Sequence, residues 1–490
     1  MLYSIRYSLY IEYVNLDDAF TLEKRAYNDS MEGIIAASST TGGNIGVNRT
    51  LTYNANITSN RGYLRAGNLE NTTDLNMGNL LSVSEMSAPL VATHDSSMRV
   101  NMITAQSKQS IPIAKTNRRL ITNGSELAIS HVISNDFVFI AEDDGIVTEY
   151  DEKNELMILT YKNGHTATIN LAPNIVKNGG GGFYINNQLS TNLIVGDKFT
   201  KGQVLAKNDN YFKDTIDKKD VEFSMRKLAK IGIYAGDFTH EDSSLVTNKL
   251  CEEMSTNITM RKSKVLSMTS NVDYIAKKGQ EIKTGEPLLI FEQGYDEAEV
   301  NSMLSKIADE LHEEITRLSK NQLLSKYTGR IDDIKIYYTC KIEDMSPSLQ
   351  KIVKSYNSTI LSKEKLLNKY YSNINDSNII LDPHEQIDAK NGKVKGTTMV
   401  DAVMIEFYIT YHDKMNVGDK LSYSTALKSI ISRVCEDNEA PYSELHKDEP
   451  IDALMSYISV NARMCTSIYL ELYCNKVLLE LKNAVAELWK

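Results

Sequence analysis

The sequence predicts a multidomain α+β protein that is rich in β-barrels. Phe137 to Leu171 reads as short strands with turn residues at 143–145 and 162–164. Segments 195–206 and 278–289 each have the pattern of strand, glycine turn and strand, and the segment from Val417 resembles them. Because these turns recur without a regular period, they exclude a solenoid and favour interleaved barrels. Apolar residues at helical spacing over 300–318, 349–367 and 468–488 predict amphipathic helices.

Length and composition limit the possible functions. At 490 residues, the chain is expected to form roughly two to four domains. No apolar run approaches the length of a membrane span, so a soluble, non-secreted protein is expected. The five cysteines are scattered without a CxxC pair, which predicts free thiols and neither a disulfide framework nor a zinc site. A net charge of −10 restricts any nucleic-acid contact to local clusters of lysine and arginine.

Two lysines flank a turn that follows the apolar, strand-like run 404–411. With a turn at 418–419, Lys420 would lie at a tight bend, and the following segment would bring Lys428 back towards it. Two ammonium groups would then converge. The alternative is a barrel strand whose lysines are only solvated.

A second candidate group lies in 94–112, where Arg99, Lys108 and Gln109 offer donors for phosphate oxygens and sugar hydroxyls. The alternative is a helix in which Arg99 pairs with Asp95 one turn earlier.

Two further candidate groups are an acidic pair and a single arginine. Glu241 and Asp242 are adjacent carboxylates that could hold a second, substrate-borne magnesium directly or through water, although an acidic surface turn is the alternative. Arg463 is placed at the mouth of the final helix. An unrelated hydrolase would need a complete catalytic set in one chain, and the sequence has no GxSxG motif and no metal triad.

In this order and spacing, the four groups resemble motifs of the beta subunit of cellular-type multisubunit RNA polymerases. The segment HDSSMR resembles the family's HDDxNR motif, with Arg99 at its arginine. GDFTHED resembles GYNFED, and GDK-x7-K is similar to GDKMAGRHGNKG, with Lys420 and Lys428 in register. Ala-Arg-Met around Arg463 resembles Ser-Arg-Met. TGGNIG at 41–46, with the following Asn48 and Leu51, is similar to the fork-loop sequence EGPNIGLINSL, and residues 38–41 replace the acidic residues before its glycine.

The resemblance extends from residue 30 to residue 475 and implies the C-terminal half of a full beta subunit. The N-terminal lobe and the Asp-rich loop that holds the catalytic magnesium in the partner subunit have no counterpart in the sequence. This pattern is similar to the split polymerases of giant bacteriophages. Where the family has glycines and a histidine between the two lysines, this chain has residues 421–427, and Thr239-His240 replaces Asn-Phe before the two acids.

The resemblance implies a DNA-directed RNA polymerase subunit that is active only within a multisubunit complex. The implied residues are Arg99 and Arg463 at the nucleotide phosphates, Lys420 and Lys428 at the RNA 3′ end, Glu241 and Asp242 at the nucleotide-borne magnesium, and Lys108, Gln109 and Asn44 at the transcript. The alternative is a catalytically silent scaffold or nucleic-acid-binding subunit of such a complex.

The implied partners are an N-terminal beta piece, beta-prime pieces, a promoter-specificity subunit, the DNA template, the RNA transcript and nucleoside triphosphates. The catalytic Mg²⁺ would be held mainly by a partner chain, and no zinc is implied. The complex would act in the cytoplasm of an infected bacterial cell and would not bind a membrane. The implied fold has double-psi and hybrid barrels with a flap-like domain. Its expected parts are a fork-like segment (1–80), the first part of the catalytic barrel (81–295), a helical and flap-like region (296–390), a barrel segment with the lysine pair (391–450), and a helical segment that docks on the partner subunit (451–490).

Overall fold

The computed structural model describes residues 8–10, 26, 31–38, 45–55, 76–91, 97–178, 182–292, 320–388, 393–394, 397–444 and 446–489. The fold is α+β and rich in sheet, as the sequence predicts. Within the described ranges, no helix is long and apolar enough to cross a membrane. All five cysteines are free thiols.

The helices are, in chain order, α1 (Met77–Leu80), α2 (Val83–Met86), α3 (Ser97–Gln109), α4 (Ser125–Val132), α5 (Asn248–Glu253), α6 (Pro347–Tyr370), α7 (Tyr457–Ala462) and α8 (Ser467–Trp489). Short 3₁₀ helices span Ile342–Asp344 and Ile374–Ser377.

The strands are, in chain order, β1 (Ser8–Tyr10), β2 (Asn48–Thr50), β3 (Val138–Ile140), β4 (Gly145–Asp151), β5 (Leu156–Tyr161), β6 (Thr166–Asn170), β7 (Ile175–Lys177), β8 (Tyr184–Asn186), β9 (Lys198–Phe199), β10 (Val204–Lys207), β11 (Phe212–Asp214), β12 (Val221–Phe223), β13 (Ile231–Ile233), β14 (Ser243–Thr247), β15 (Thr256–Ser267), β16 (Asn271–Ile275), β17 (Glu281–Ile282), β18 (Pro287–Glu292), β19 (Lys320–Leu324), β20 (Gly329–Tyr338), β21 (Lys393–Val394), β22 (Thr397–Thr398), β23 (Ala402–Asp413), β24 (Lys420–Tyr423), β25 (Leu427–Cys435), β26 (Tyr442–Ser443), β27 (His446–Pro450) and β28 (Ala453–Met455).

The chain forms two compact units, each assembled from separate stretches of sequence. Unit 1 comprises Met1–Ile133, Asn210–Thr256 and Lys414–Lys490. Unit 2 comprises Ser134–Asp209 and Asn257–Asp413. The two units therefore alternate along the sequence, whereas the five expected parts follow one another. That five-part division remains a prediction.

Unit 1 is organised around a mixed five-stranded sheet in the order β13-β28-β14-β25-β24. β14 is parallel to β25 and antiparallel to β28, and β24 and β25 form an antiparallel hairpin. Apolar side chains from three distant stretches close its core, including Ile103 of α3, Val246 of β14, Ile431 of β25 and Ile468 of α8. This packing gathers the segments that carry the candidate site residues into one unit.

Unit 2 contains a six-stranded sheet in the order β17-β20-β23-β15-β8-β7 and a four-stranded sheet in the order β6-β5-β4-β9. The run 404–411 lies in β23, which pairs with β20 along most of its length. Helix α6 begins after Ser346, whose hydroxyl accepts a hydrogen bond from the Leu349 amide, and Pro347 suits the first helical position. Leu349, Val353, Ile360 and Leu367 form its buried stripe, in agreement with the predicted helix.

Several predicted turns and the final helix are confirmed by the structure. The turns at 143–145 and 162–164 border β4 and β5, and Gly202 and Gly285 have the positive φ angles of 81° and 87° that their turns require. The final helix is α8. The predicted helix over 300–318 lies outside the described residues.

Candidate active site

The β24-β25 hairpin sets the positions of the two lysines. In its register, Lys420 faces Ile430 and Ser422 faces Lys428, so the lysines are diagonal neighbours on one face. Diagonal positions of an antiparallel pair are about 7–8 Å apart. The side chain of Leu421, the next residue in β24, points inward. Lys420 is exposed, and Lys428 is partly exposed. The two ammonium groups therefore belong to the same outer surface.

The hairpin differs from the prediction in one respect. Lys420 is not at the tight bend but is the first residue of β24, after the turn at 416–419. The bend lies at Ser424 and Thr425, which have left-handed φ angles of 49° and 62°. Left-handed backbone is costly for residues other than glycine, most of all for a β-branched one, so this bend stores strain.

The acidic loop before β14 is organised by one buried threonine. The Thr239 hydroxyl donates to the Tyr234 carbonyl at 2.8 Å and accepts from the Gly236 amide at 3.0 Å. Glu241 adopts a left-handed φ of 51°, and its side chain is exposed at the end of the loop. The side chain of Thr239 therefore holds the backbone of this loop in place.

Backbone hydrogen bonds fix Asp242 against the lysine hairpin. The Ile430 amide donates to the Asp242 carbonyl at 2.8 Å, and the Ser429 hydroxyl donates to the same oxygen at 2.9 Å. Since Lys428 immediately precedes Ser429, the acidic loop and the lysine pair lie side by side.

Arg463 completes this cluster from the C-terminal end of α7. Its two terminal nitrogens donate to the two carboxylate oxygens of Asp242 at 2.8 and 2.6 Å, which is the bidentate geometry of a strong charge-assisted pair. Partial burial raises the pKa of Asp242, but hydrogen bonds from Arg463 and Ser459 and the charge of Arg463 outweigh it and lower that pKa overall. The Ser459 hydroxyl also donates to the Glu241 carbonyl.

The two carboxylates, Glu241 and Asp242, could serve as auxiliary ligands of a metal ion, but they do not form a complete metal site by themselves. Asp242 is already neutralised by Arg463, and Glu241 presents one exposed carboxylate. Across the ranges that the structure describes, no group of three or more His, Cys, Asp or Glu side chains is arranged to hold a metal ion. A magnesium ion at this position would therefore need most of its oxygen ligands from a nucleotide or another chain.

Arg99 lies in a different setting from the one that the phosphate-binding prediction requires. It is fully buried, and its guanidinium donates to Glu471 at 3.1 Å, to the Pro89 carbonyl at 3.3 Å and to the Ser467 hydroxyl. The predicted alternative partner, Asp95, lies outside the described residues. Arg99 is thus held by α8, which begins only four residues after Arg463.

Two more arginines belong to this buried network. Arg119 donates to Glu126 at 2.8 Å and to the Ser87 carbonyl, and Arg226 donates to the same carbonyl. Burial, followed by the repulsion of Arg119, lowers the pKa of the Arg226 guanidinium. The positive charges of Arg99 and Arg119 act on Arg226, and Glu126 and Glu471 are the opposing charges.

Two of the residues expected at the transcript, Lys108 and Gln109, lie in the same unit. Lys108 donates to the Thr50 hydroxyl at 3.4 Å, and burial lowers its pKa while the charge of Glu85 raises it. Gln109 is exposed at the end of α3. Asn44 lies outside the described residues.

Three residues that matter to this geometry were not singled out in the sequence. Ser429 and Ser459 hold the backbone of the acidic pair, and Glu471 neutralises Arg99. Serines give no distinctive sequence signal. Glu471 could have been noticed, because it follows Ser467 by one helical turn and interrupts the apolar face of the predicted final helix.

The chain is similar in sequence to subunits of known RNA polymerases. The chain is 21% identical over 450 residues to the DNA-directed RNA polymerase subunit beta of Bifidobacterium longum subsp. infantis, a match that covers 87% of this chain and 33% of that protein. A shorter match, 33% identical over 78 residues, links 16% of the chain to 7% of the DNA-directed RNA polymerase subunit beta of Nymphaea alba. The chain thus spans about a third or less of the length of these relatives.

A family model described as RNA polymerase Rpb2, domain 6 matches residues 225–487. The match includes the acidic loop, the lysine hairpin, Arg463 and α8, and it spans more than half of the chain. The chain therefore belongs to the RNA polymerase Rpb2, domain 6 family.

Proposed function

We propose that the chain is the C-terminal part of a beta subunit of a DNA-directed RNA polymerase and contributes substrate contacts for nucleotide addition. The observation that carries the proposal is the convergence of Lys420, Lys428, the acidic loop and Arg463 within one unit. Asp242 is bound to Arg463 by its side chain and to the lysine hairpin by its backbone. Cations that are fixed before substrate binds stabilise developing negative charge without reorganisation.

Nucleotide addition is phosphoryl transfer from a nucleoside triphosphate to the RNA 3′ hydroxyl, and its catalysis consists mainly of alignment and charge neutralisation. Arg463 would bind the β and γ phosphates, and Lys420 and Lys428 would bind phosphate oxygens at the RNA 3′ end. Glu241 and Asp242 would help to hold the magnesium that arrives with the nucleotide. That ion supplies charge neutralisation between the phosphates.

In this proposal both arginines exchange a carboxylate for a phosphate. Arg463 is about one-third exposed, so it can turn from Asp242 to a triphosphate without unfolding its surroundings. Arg99 is fully buried and would have to leave Glu471. Arg463 is therefore the primary phosphate ligand, and Arg99 acts only after a local rearrangement of α8.

Lys108, Gln109 and Asn44 would contact the transcript behind the 3′ end. The missing parts of the enzyme, namely the N-terminal beta piece, the beta-prime pieces with the catalytic magnesium aspartates, and the promoter-specificity subunit, would come from other chains, as in a split bacteriophage polymerase. The complex would then act on template DNA in the cytoplasm of an infected bacterial cell.

The second candidate function is a catalytically silent scaffold of such a complex. The burial of Arg99 against Glu471 favours it, because a decayed site would keep this ion pair for stability alone. The exposed lysine pair favours the catalytic function, since solvated lysines at these positions are not needed for the fold.

The test is RNA extension by the purified complex containing single variants of this chain. We expect Lys428→Ala and Arg463→Ala each to lower the extension rate by roughly a hundredfold, the scale for removing one preorganised charged contact. The matched controls are Lys219→Ala, at an exposed lysine of the same unit, and Arg118→Ala, at a partly exposed arginine paired with Glu222.

Near-normal extension by both site variants, with full incorporation into the complex, would refute the catalytic assignment and leave the scaffold. The isolated chain is expected to be inactive, because the metal aspartates are expected on a partner chain. Templated synthesis by this polypeptide alone would contradict that expectation.

A further inference from the structure

One aromatic residue is exposed beside the acidic loop, although its backbone is strained. Phe238 lies four residues before Asp242, has a left-handed φ of 67°, and is 46% exposed. Left-handed backbone costs free energy in residues other than glycine, and an exposed phenylalanine ring loses the stabilisation that burial provides. Strained backbone that persists in a folded chain clusters at active sites and ligand-binding loops. The position of Phe238 therefore indicates a ligand contact.

A β-bulge brings Arg433 to the outer face of the lysine hairpin. Residues 431 and 433 of β25 pair with consecutive residues of β14, so Ser432 is the extra residue of the bulge. Because side chains alternate between the two faces of a strand, residues 431 and 433 would share a face without this bulge. Instead, Ile431 is buried and Arg433 is exposed. The bulge therefore places Arg433 on the face that carries Lys428.

Arg433 and Phe238 form a cation–π pair, called here the Phe238–Arg433 platform. The central carbon of the guanidinium lies over the ring, 5.1 Å from its centre. The Ser432 hydroxyl contacts the Phe238 carbonyl and the Ser244 carbonyl, the latter at 2.9 Å, and so holds the loop on β25. Arg433 also pairs with Glu439 at 3.6 Å, but both side chains are about half exposed, so this pair contributes little.

The platform lies next to the acidic pair. The Ile430 amide donates to the Asp242 carbonyl, and the Ser432 hydroxyl donates to the Phe238 carbonyl. Residues 430 and 432 are about 7 Å apart along a strand, which is within the length of one nucleotide. The side chain of Asp242 in turn contacts Arg463. A nucleotide with its phosphates on Arg463 could therefore place its base on the platform.

We infer that the Phe238–Arg433 platform stacks against the base of the nucleoside triphosphate whose phosphates bind Arg463. The inference rests on the proposed function and extends it from the phosphates to the base. Aromatic rings and guanidinium groups stack on all four bases, because every base has a π-face. The positive charge of Arg433, on the same face as Lys428, suits an anionic ligand.

A free nucleotide fits the platform better than the RNA strand. A base within an RNA–DNA hybrid is already paired and stacked between its neighbours, whereas the base of a free nucleoside triphosphate has two open faces. Stacking is tolerant of base identity, so the platform would raise the affinity for all four nucleotides without selecting among them. Selection would remain with the template.

The experiment measures inhibition of RNA extension by the purified complex at a template position that calls for cytidine triphosphate. The inhibitors are ATP, whose base cannot pair there, and ribose 5-triphosphate, which has no base. Phe238→Leu keeps an apolar side chain with the same backbone strain but removes the π-face, and Phe238→Tyr keeps that face.

We expect Phe238→Leu to raise the inhibition constant of ATP about tenfold, the scale for losing one stacked base, and to leave that of ribose 5-triphosphate within about twofold. The KM for cytidine triphosphate should rise with ATP's inhibition constant while kcat stays within about twofold, and Phe238→Tyr should match the wild type. Equal weakening of both inhibitors, or no change in either, would overturn the inference.

Photolabelling gives an independent measurement that does not require extension. The complex is irradiated with 8-azidoadenosine triphosphate, whose reactive group is on the base, and the labelled residues are identified by mass spectrometry. We expect the label within 236–242 or 432–434, and a label confined to other segments would overturn the inference. If Lys428→Ala and Arg463→Ala extend RNA normally but the label still lies on the platform, the proposed function fails and the base site remains. If those variants are slow but the label lies elsewhere, the base site alone is refuted.

Discussion

Glu471→Gln tests the buried ion pair that joins the arginine network to α8. The side chain of Arg99 is 0% exposed and that of Glu471 is 9% exposed, so solvent cannot replace the lost charge. Glutamine keeps the shape of glutamate, so the change removes the negative charge without making a cavity. Removing one partner of a buried pair costs about 3–5 kcal/mol, because the other charge is left uncompensated.

The neighbouring charges reinforce this expectation. Arg226 is repelled by Arg119 and Arg99 and attracted by Glu471 and Glu126. Glu471→Gln removes one of the two carboxylates that attract Arg226 and leaves both repulsions in place. We therefore expect the loss of stability to lie within that range rather than below it.

The assay is urea unfolding of the full chain followed by far-ultraviolet circular dichroism, with hydrogen exchange to assign the transition to α3 and α8. The matched control is Glu480→Gln on the same helix, since the Lys476–Glu480 pair has side chains that are 56% and 39% exposed. An exposed pair of this kind contributes about 0.3–0.5 kcal/mol. If Glu471→Gln costs no more than the control, the reasoning from burial is wrong.

Three other predictions concern the site and the sheet. The pKa of Asp242 is lowered, so its pair with Arg463 stabilises the fold fully above the unfolded pKa of about 3.9, and this stabilisation is lost as the pH falls through the folded pKa. Arg463→Ala should therefore raise the pKa of Asp242, as measured by NMR titration. An unchanged pKa would contradict this. Thr425→Gly should stabilise the chain by about 1 kcal/mol in thermal unfolding, because it removes a left-handed β-branched residue, and a loss of stability would refute the strain. Gly329→Ala should cost about 1–3 kcal/mol in urea unfolding, because overpacking displaces neighbouring atoms. A Cβ there would lie 2.2 Å from the Thr410 carbonyl oxygen, and a neutral effect would show that β20 and β23 can separate.

The sequence was sufficient for elements that depend on neighbouring residues. Helix α6 follows from its apolar spacing and from Ser346 and Pro347 at its start, and the turn at Gly285 follows from a backbone angle that glycine adopts readily. The hairpin with Lys420 and Lys428 was predicted in outline. The turn before Lys420 was predicted, and Gly418 has the positive φ of 91° that it requires. The bend between the two strands was not, because Ser424 and Thr425 are not the residues that usually adopt left-handed turns.

Contacts between distant segments could not be predicted from spacing. The Arg99–Glu471 pair joins residues 372 positions apart, and no local pattern identifies the acid that will meet a given arginine. The acidic pair was noticed as two adjacent carboxylates, and the resemblance to a family motif favoured a site over an acidic surface turn. Its attachment to Ser429 depends on the parallel pairing of β14 with β25, and its attachment to Ser459 depends on the position of α7. Both are tertiary properties.

The alternation of the two units has a consequence for synthesis on the ribosome. Every stretch of unit 2 is made by residue 413, whereas the sheet of unit 1 lacks β24, β25 and β28 until residues 420–455 have been translated. Unit 2 can therefore fold first, while the apolar side chains of α3 and of the segment with the acidic loop stay exposed until the remaining strands of unit 1 are made. The nascent chain acquires its full cationic surface only after residue 463 has been translated.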